Sequence, residues 1–158
     1  MASILGKSFS LFDSNDLPAT EIIRNGRVLR NRKLIASPYT TGENVFVLQT
    51  TFFANPDNPL PPDAQELKER AHKHNEAEEI MIFDHEALVY VDGEVYTVPA
   101  GGVLVAKPGC MHGCGFMDPT QQGMITCIFT PSIPENEDAG YPELIRITRE
   151  YIENLKNE

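Results

Sequence analysis

Two histidines and a carboxylate lie within seven residues of one another near the middle of the chain. His72, His74 and Glu78 follow each other at spacings of two and four residues. Side chains alternate between the two faces of a β-strand, so a strand running through this segment would direct all three to one side. Two imidazoles and one carboxylate directed at one point can bind a divalent metal ion. The chain has only two other histidines, His85 and His112, either of which could complete the site.

The adjacent carboxylate is the alternative to Glu78. Strand alternation places Glu78, and not Glu79, on the face shared by His72 and His74. A β-bulge between the histidines and the carboxylates would reverse that preference. His85 falls in a turn between two expected strands, and we expect it on the surface.

The composition excludes several classes of function. The 158 residues, 41% of them hydrophobic, suit a single domain with a sizeable core over 1–158. Thirteen basic and 23 acidic side chains give a net charge of −10, which disfavours nucleic acid and anionic membrane surfaces as partners. No apolar run approaches the roughly 18–20 residues of a membrane span, and the first residues lack the pattern of a signal peptide. Three cysteines, an odd number, favour reduced thiols, and we expect a cytoplasmic protein.

Short strands with turn residues between them predict an all-β fold. Segments 44–54, 79–83, 87–98, 103–106 and 123–130 are rich in β-branched and aromatic residues. The Asp92-Gly93 pair in the third of these segments is typical of a tight hairpin. Strands spaced by about ten residues indicate a β-sandwich or barrel.

A basic hairpin is predicted at about 20–35, around Asn25-Gly26. It gathers five of the 13 positive charges. We interpret it as a solvated face that pairs with acidic neighbours or with a second subunit, and the alternative is an anion-binding strip. The charges in question are those of Arg24, Arg27, Arg30, Arg32 and Lys33.

Two helices are expected outside the strands. A proline-rich loop at 55–62 leads into a short helix over 63–70, with Asp63 as its N-cap, and this region delivers the chain into His72. A C-terminal amphipathic helix is predicted at about 142–157 and should pack on the barrel or on a partner subunit. Its apolar stripe consists of Leu144, Ile147 or Thr148, Tyr151 and Leu155.

Over about 44–131 these residues resemble the cupin superfamily. The first cupin motif, His-x-His followed after three or four residues by Glu, is matched by 72–78, and the second, Gly-x5-Pro, a nearby Gly and then His, by 102–112. The match is not complete, because His85 stands where a glycine is usual and Pro108 and Gly109 are adjacent. The resemblance implies a small single-domain cupin, a double-stranded β-helix or jelly roll. The hairpin would be an N-terminal strand extension of it and the terminal helix a C-terminal addition.

The resemblance also implies a metal site of three histidines and one glutamate. Such a set suits Fe(II), Mn(II), Ni(II) or Zn(II), and a six-coordinate ion would keep about two positions open for substrate, water or O2. We interpret Cys110 and Cys114, on either side of His112, as small buried hydrophobic residues; the alternative is that Cys114, which has the parity of His112, points into the barrel near the metal. The expected ligands are His72, His74, Glu78 and His112. Polar residues that could line the pocket are Gln49, Thr51, Tyr90 and Tyr96.

The function implied is that of a metal-dependent enzyme acting on a small organic molecule chelated through its oxygen atoms. The reaction would be that of a dioxygenase, or of a non-redox lyase, decarboxylase or isomerase. The alternative is a non-catalytic small-molecule-binding cupin, a sensor or carrier. No catalytic residue is assigned beyond the ligands, and we expect a homodimer.

Overall fold

A computed structural model describes residues 4–6 and 10–158, which form eleven strands and two helices. The helices are α1, Ala64–Arg70, and α2, Tyr141–Lys156. The strands are β1 Ile4–Leu5, β2 Ser10–Leu11, β3 Thr20–Arg24, β4 Arg27–Ala36, β5 Phe46–Phe52, β6 Glu78–Phe83, β7 Ala87–Val91, β8 Glu94–Val98, β9 Val103–Ala106, β10 His112–Phe116 and β11 Gly123–Thr130.

Two antiparallel sheets share one core. The larger has the strand order β3-β4-β5-β11-β6-β9 and the smaller the order β10-β7-β8, while β1 and β2 pair separately. Alternate residues are buried along β5, β6 and β11, as expected for strands with one face on a core. Phe116 of the smaller sheet contacts Phe52 and Phe83 of the larger one edge to face, with ring centroids 5.4 and 6.4 Å apart. The predicted all-β architecture is confirmed.

The two predicted hairpin turns form as expected, but part of the basic hairpin directs its side chains toward the inner side of the sheet. Asn25 and Gly26 both have positive φ, 53° and 73°, as a type I′ turn requires. The hairpin extends the larger sheet beside β5, with Leu34 opposite Leu48 and Arg30 opposite Phe52.

Along β4, Arg30 and Arg32 share the face of Leu34, which is completely buried. The interpretation of the five charges as one solvated face is therefore wrong for these two arginines, whereas the expected pairing with an acidic neighbour is present for Arg32, whose Nη2 lies 3.2 Å from Asp138 Oδ1. Their side chains lie on the inner side of the sheet.

Helix α1 has the predicted cap and a close contact with β10. The Asp63 carboxylate accepts a hydrogen bond from the Glu66 amide at 2.8 Å, and Leu67 is completely buried. A Cβ at Gly113 of β10 would lie 2.6 Å from the Leu67 carbonyl oxygen, so only glycine permits this approach. The helix thus brings the chain to His72 at a defined position against β10.

Helix α2 begins at Tyr141, one residue before the predicted start, and packs against β4. The apolar stripe is rotated relative to the prediction, because Tyr151 and Leu155 are only half-buried. Among the described residues, neither helix combines the length and apolar character needed to cross a membrane. The buried side chains of α2 are Tyr141, Leu144, Ile145, Thr148 and Ile152.

Candidate metal centre

Three imidazoles converge on one carboxylate oxygen. His112 opens β10, and His72 pairs with it through two backbone hydrogen bonds of 2.9 Å, from each amide to the other carbonyl. His74 follows two residues later. The distances from the three Nε2 atoms to Oε1 of Glu79 are 2.7 Å for His112, 3.2 Å for His74 and 3.9 Å for His72.

The carboxylate of this cluster belongs to Glu79, and the prediction of Glu78 is corrected. Glu79 is buried with 2% of its surface exposed, whereas the Glu78 carboxylate turns outward and pairs with Lys107 Nζ at 2.8 Å. The cause is local backbone geometry, because the chain bends at Asn75 and Glu76, and β6 begins only at Glu78. The histidines and carboxylates do not lie on one strand, so their side chains do not alternate in a single register across the bend.

Every imidazole is held at Nδ1 by an acceptor. Nδ1 of His72 lies 3.3 Å from the Arg70 carbonyl oxygen, and Nδ1 of His112 lies 3.0 Å from that of Cys110. Because a carbonyl oxygen can only accept, both Nδ1 atoms carry hydrogen and donate. The Nε2 atoms are therefore the ones available to a ligand, and they are the atoms that converge.

The third anchor, Glu137, was missed by the sequence analysis. Its Oε1 lies 2.9 Å from Nδ1 of His74, so a carboxylate orients this ring. Glu137 is 63 residues from His74 along the chain, in a loop of which the sequence shows only acidic and turn-forming character. No local pattern in the sequence points to the contact.

The Glu79 carboxylate favours a positive charge beside it, either a proton on His74 or His112 or a bound cation. Burial acts to raise the pKa of the Glu79 carboxyl, but hydrogen bonds from His112 and His74 outweigh it and lower the pKa to about 2. Burial acts to lower the pKa values of His74 and His112, and hydrogen bonding to Glu79 raises both above the usual histidine value. For His72 burial prevails and the pKa is lowered.

These donors fit a divalent cation. With Nδ1 protonated, Nε2 of His112 presents either a lone pair or a second N–H to a carboxylate oxygen at 2.7 Å. A lone pair at that distance would be repelled, so a proton or a metal ion must lie between the two groups. The four donor atoms, from His72, His74, Glu79 and His112, all lie within 4.8 Å of one another. This separation suits nitrogen and oxygen ligands around one ion.

The cluster lies in the wall of a cavity of about 960 Å³. His112 and His74 are buried, but the His72 side chain is 55% exposed, so one side of the cluster remains accessible. The predicted lining by Gln49, Thr51, Tyr90 and Tyr96 is wrong, since none of the four borders the cavity; Leu48 and Thr50, the residues of opposite parity on β5, do.

Of the two cysteines beside His112, Cys114 lies within β10, whereas Cys110 lies in the turn before that strand. Cys114 borders the cavity and Cys110 does not. Burial raises the pKa of the Cys114 thiol to about 12, so the group stays a neutral thiol and behaves as a small apolar side chain. Cys127 is buried in the core, and none of the three cysteines belongs to the group of converging donors.

The chain is similar to known proteins in its fold, and not in its sequence. No protein-family model and no curated protein sequence matches the chain. Among solved structures, KdgF from Halomonas sp. is 18% identical with a TM-score of 0.55, and the match covers 77% of this chain and 94% of that one. An RmlC-like cupin from Shewanella frigidimarina NCIMB 400 is 18% identical with a TM-score of 0.52, covering 83% and 95%.

A third similar structure, the Fe(II) form of HppE, is 10% identical with a TM-score of 0.58, and the match covers 81% of this chain and 64% of that one. Identities this low establish the architecture alone. Antiparallel strand order, a shared two-sheet core and these similarities agree with one another. The chain has the cupin fold, a jelly roll extended by an N-terminal hairpin and a C-terminal helix.

Proposed function

We propose that the protein is a metal-dependent enzyme that acts on a small organic molecule bound through its oxygen atoms. The observation that carries this proposal is the convergence of three imidazole Nε2 atoms and the Glu79 carboxylate in the wall of a large cavity. A site built only to stabilise the fold would be closed by protein ligands. Here the half-exposed His72 leaves the cluster accessible from the cavity.

The residues of this chain would hold the ion and keep it accessible. His72, His74, His112 and Glu79 would be its ligands, and the divalent ion would polarise the oxygen atoms of the substrate. The Nδ1 contacts keep the imidazoles in one tautomer and one orientation, so that the donor atoms are arranged before the ion arrives. The single carboxylate leaves the loaded site with a net charge near +1.

Fe(II), Mn(II), Ni(II) and Zn(II) are all compatible with three imidazoles and one carboxylate. Iron is supported by one observation, since HppE, which is similar in fold, has been solved with Fe(II). With a redox-active ion the reaction would be an oxygenation. With Zn(II), or with any ion acting as a Lewis acid, it would be a lyase, decarboxylase or isomerase reaction.

The second candidate function is a non-catalytic cupin that senses or carries a small molecule. The size of the cavity supports it, because a pocket of this volume holds a ligand whether or not chemistry follows. Accessible metal coordination favours the enzyme over this alternative. Turnover, and not binding, separates the two.

The first experiment is elemental analysis of protein purified without added metal. We expect about one transition metal ion per chain in the wild type and in His85→Ala, because His85 lies outside the cluster and pairs with Asp84. His72→Ala and His112→Ala should lose it. Unchanged metal content in both variants would contradict the proposal.

Oxygen uptake and product analysis with diketones, catechols and thiols would then assign the reaction. Oxygen consumption that the wild type shows and His112→Ala lacks would identify an oxygenase. Conversion of substrate without oxygen would identify a lyase, decarboxylase or isomerase. Binding without conversion by metal-loaded protein across the panel would favour the sensor or carrier.

The remaining partners are also proposals. We propose a homodimer, without nucleic acid or membrane partners, in keeping with the net charge of −10. Sedimentation equilibrium at micromolar concentration would show twice the chain mass. A single species of 17.6 kDa would contradict the dimer.

A further inference from the structure

Charge is distributed unevenly between the cavity and the rest of the chain. Five of the 13 basic residues and five of the 23 acidic residues border the cavity, so the whole net charge of −10 belongs to the remainder of the molecule. A divalent ion at the cluster would make the cavity positive inside an acidic protein. The basic residues are Arg24, Arg30, Arg32, Arg70 and Lys73, and the acidic ones Glu66, Glu69, Glu79, Glu137 and Asp138.

None of the acidic side chains that border the cavity pairs with Arg30. Glu79 and Glu137 are engaged by histidines, Asp138 by Arg32 at 3.2 Å and Glu66 by Arg70 at 3.8 Å. The Arg30 side chain makes neither a hydrogen bond nor an ion pair with any residue that the structure describes. Its guanidinium lies 5.4 Å from the centroid of the Phe52 ring, which supports it from below and leaves its N–H edges free.

The position of Arg30 directs its guanidinium into the cavity. The residue is half-buried on the inner face of β4, in line with Arg32 and the buried Leu34. Burial lowers the pKa of its guanidinium, and the positive charges of Arg70 and Arg32 lower it further. Arg32, on the same face of β4, has a carboxylate beside it, and Arg30 has none.

Arg70 connects this group to the metal centre. Its carbonyl oxygen holds Nδ1 of His72, and its Nη1 lies 3.5 Å from the carbonyl oxygen of Cys114, two residues after His112. The guanidinium of Arg70 therefore borders the same cavity as the cluster. Arg24, at the end of β3, is a third guanidinium on the cavity, and no ion pair or hydrogen bond holds its side chain among the described residues.

We propose that the ligand of this cavity is an organic oxyanion, held by the guanidinium of Arg30 with Arg70 and Arg24 beside it, while its other end reaches the metal centre. This inference rests on the proposed function, since it assigns the class of molecule that the same site would take. A carboxylate or phosphonate group accepts two parallel N–H bonds from a guanidinium. Such a group would supply the negatively charged partner that the Arg30 guanidinium lacks.

Metal-chelating probes with different tails test this assignment on the metal-loaded protein. Acetohydroxamate has a neutral tail, succinic acid monohydroxamate ends in a carboxylate and 3-phosphonopropanohydroxamate ends in a phosphonate. Isothermal titration calorimetry with cobalt-loaded protein compares the three. We expect the better of the two anionic probes to bind at least about tenfold more tightly than acetohydroxamate. A gain of this size is typical of hydrogen bonds to charged groups. The better tail identifies the kind of oxyanion.

Two variants distinguish binding by Arg30 from a general effect of removing one positive charge. Arg30→Gln should lose the advantage of the anionic tail and keep the affinity for acetohydroxamate and the bound metal. Arg27→Gln, on the same strand, removes the same charge from a residue outside the cavity that pairs with Asp57, and it should keep the advantage. Equal affinity of all three probes for the wild type, or an advantage that survives in Arg30→Gln, would overturn the proposal.

Failure of the metal site would be seen separately. If the wild type binds no metal, the same comparison is made on the metal-free protein between succinate and the uncharged succinamide. Preference for succinate that disappears in Arg30→Gln and persists in Arg27→Gln supports the oxyanion site without the metal. Absence of that preference overturns it.

Discussion

The three imidazoles of the cluster are held with different firmness. His112 is 1% exposed and is fixed both by its backbone pairing with His72 and by the Cys110 carbonyl oxygen. His74 is buried too, but its orientation depends on the side chain of Glu137, in a loop that precedes α2. His72 is half open to the cavity. We therefore expect the ring of His74 to be the one most sensitive to a change outside the cluster.

Replacing Glu137 tests this dependence. In Glu137→Gln the partner of His74 Nδ1 loses its negative charge. The imidazole then becomes less basic, and its Nε2 becomes a weaker ligand for the metal ion. Outer carboxylates of this kind are worth roughly 10–100-fold in metal affinity, and we expect a loss in that range with one ion per chain still bound at saturation. A metal titration followed by calorimetry measures it. Glu135→Gln, an exposed change in the same loop, is the control, and equal affinities of the two variants would refute the role of Glu137.

At this scale the sequence was informative about residue types and uninformative about the backbone between them. The three histidines could be found because the spacing of the two motifs is local. The choice between Glu78 and Glu79 depended on a bend at Asn75 and Glu76, and no residue type there demands a bend.

Among the elements, α1 links the two halves of the site. It is anchored to β10 through Leu67, it presents Arg70 to the cavity and it ends next to His72. Loosening this helix should therefore affect both stability and metal binding.

Leu67→Ala tests that link. The side chain is completely buried, and truncation of such a leucine costs about 2–5 kcal/mol. We expect a lower midpoint in urea unfolding and weaker metal binding. Leu60→Ala removes the same atoms from a residue that is 72% exposed in the preceding loop, and its unfolding midpoint should stay close to that of the wild type. Similar losses in both variants would show that α1 is not anchored by Leu67.

The loop before α2 is tied to β4 by a second acidic residue. Asp138 accepts hydrogen bonds from Arg32 Nη2 at 3.2 Å and from the Gly140 amide at 2.7 Å. Burial acts to raise its pKa, and these hydrogen bonds outweigh burial and leave the pKa below the usual aspartate value. A carboxyl group whose pKa is lower in the folded state stabilises the protein above its unfolded pKa, and this contribution disappears as the pH falls through the folded pKa.

Asp138→Asn should therefore be less stable than the wild type at pH 6–7, by about 1 kcal/mol or less because the pair is partly exposed. The difference should shrink as the pH falls below about 4, the unfolded value for aspartate. Urea unfolding at several pH values measures this difference. A stability difference that is the same at pH 7 and pH 3 would contradict the assignment.

Among the elements, turns were easier to predict than faces. Asn25-Gly26 and Asp92-Gly93 specify their hairpins through positive φ, which is a property of the residues themselves. The inward direction of Arg30 is set by pairing between β4 and β5, which are separated by a loop along the chain. A run of charges on a hairpin is typical of a solvated face, and only the position of β4 in the sheet shows otherwise.

For the whole molecule, one core joins the two sheets, the hairpin strand β4 and helix α2. Leu34, Phe46, Val89 and Leu144 come from these four parts and belong to the same buried cluster. We therefore expect the single domain predicted over 1–158 to unfold in one transition. Far-ultraviolet circular dichroism and tyrosine fluorescence should give the same midpoint, and different midpoints would contradict a single domain.

The metal centre depends most directly on the carboxylate beside the histidines, which is that of Glu79. Glu79→Gln and Glu78→Gln make the same chemical change at adjacent positions, one buried against His112 and His74 and the other paired with Lys107 on the surface. The deciding measurement is a Co(II) titration of the wild type and both variants, followed by visible absorption. We predict one ion per chain in the wild type and in Glu78→Gln. Affinity in Glu79→Gln should fall by more than the roughly 10–100-fold expected for an outer partner. Unaltered binding in Glu79→Gln, or loss in Glu78→Gln alone, would contradict the account.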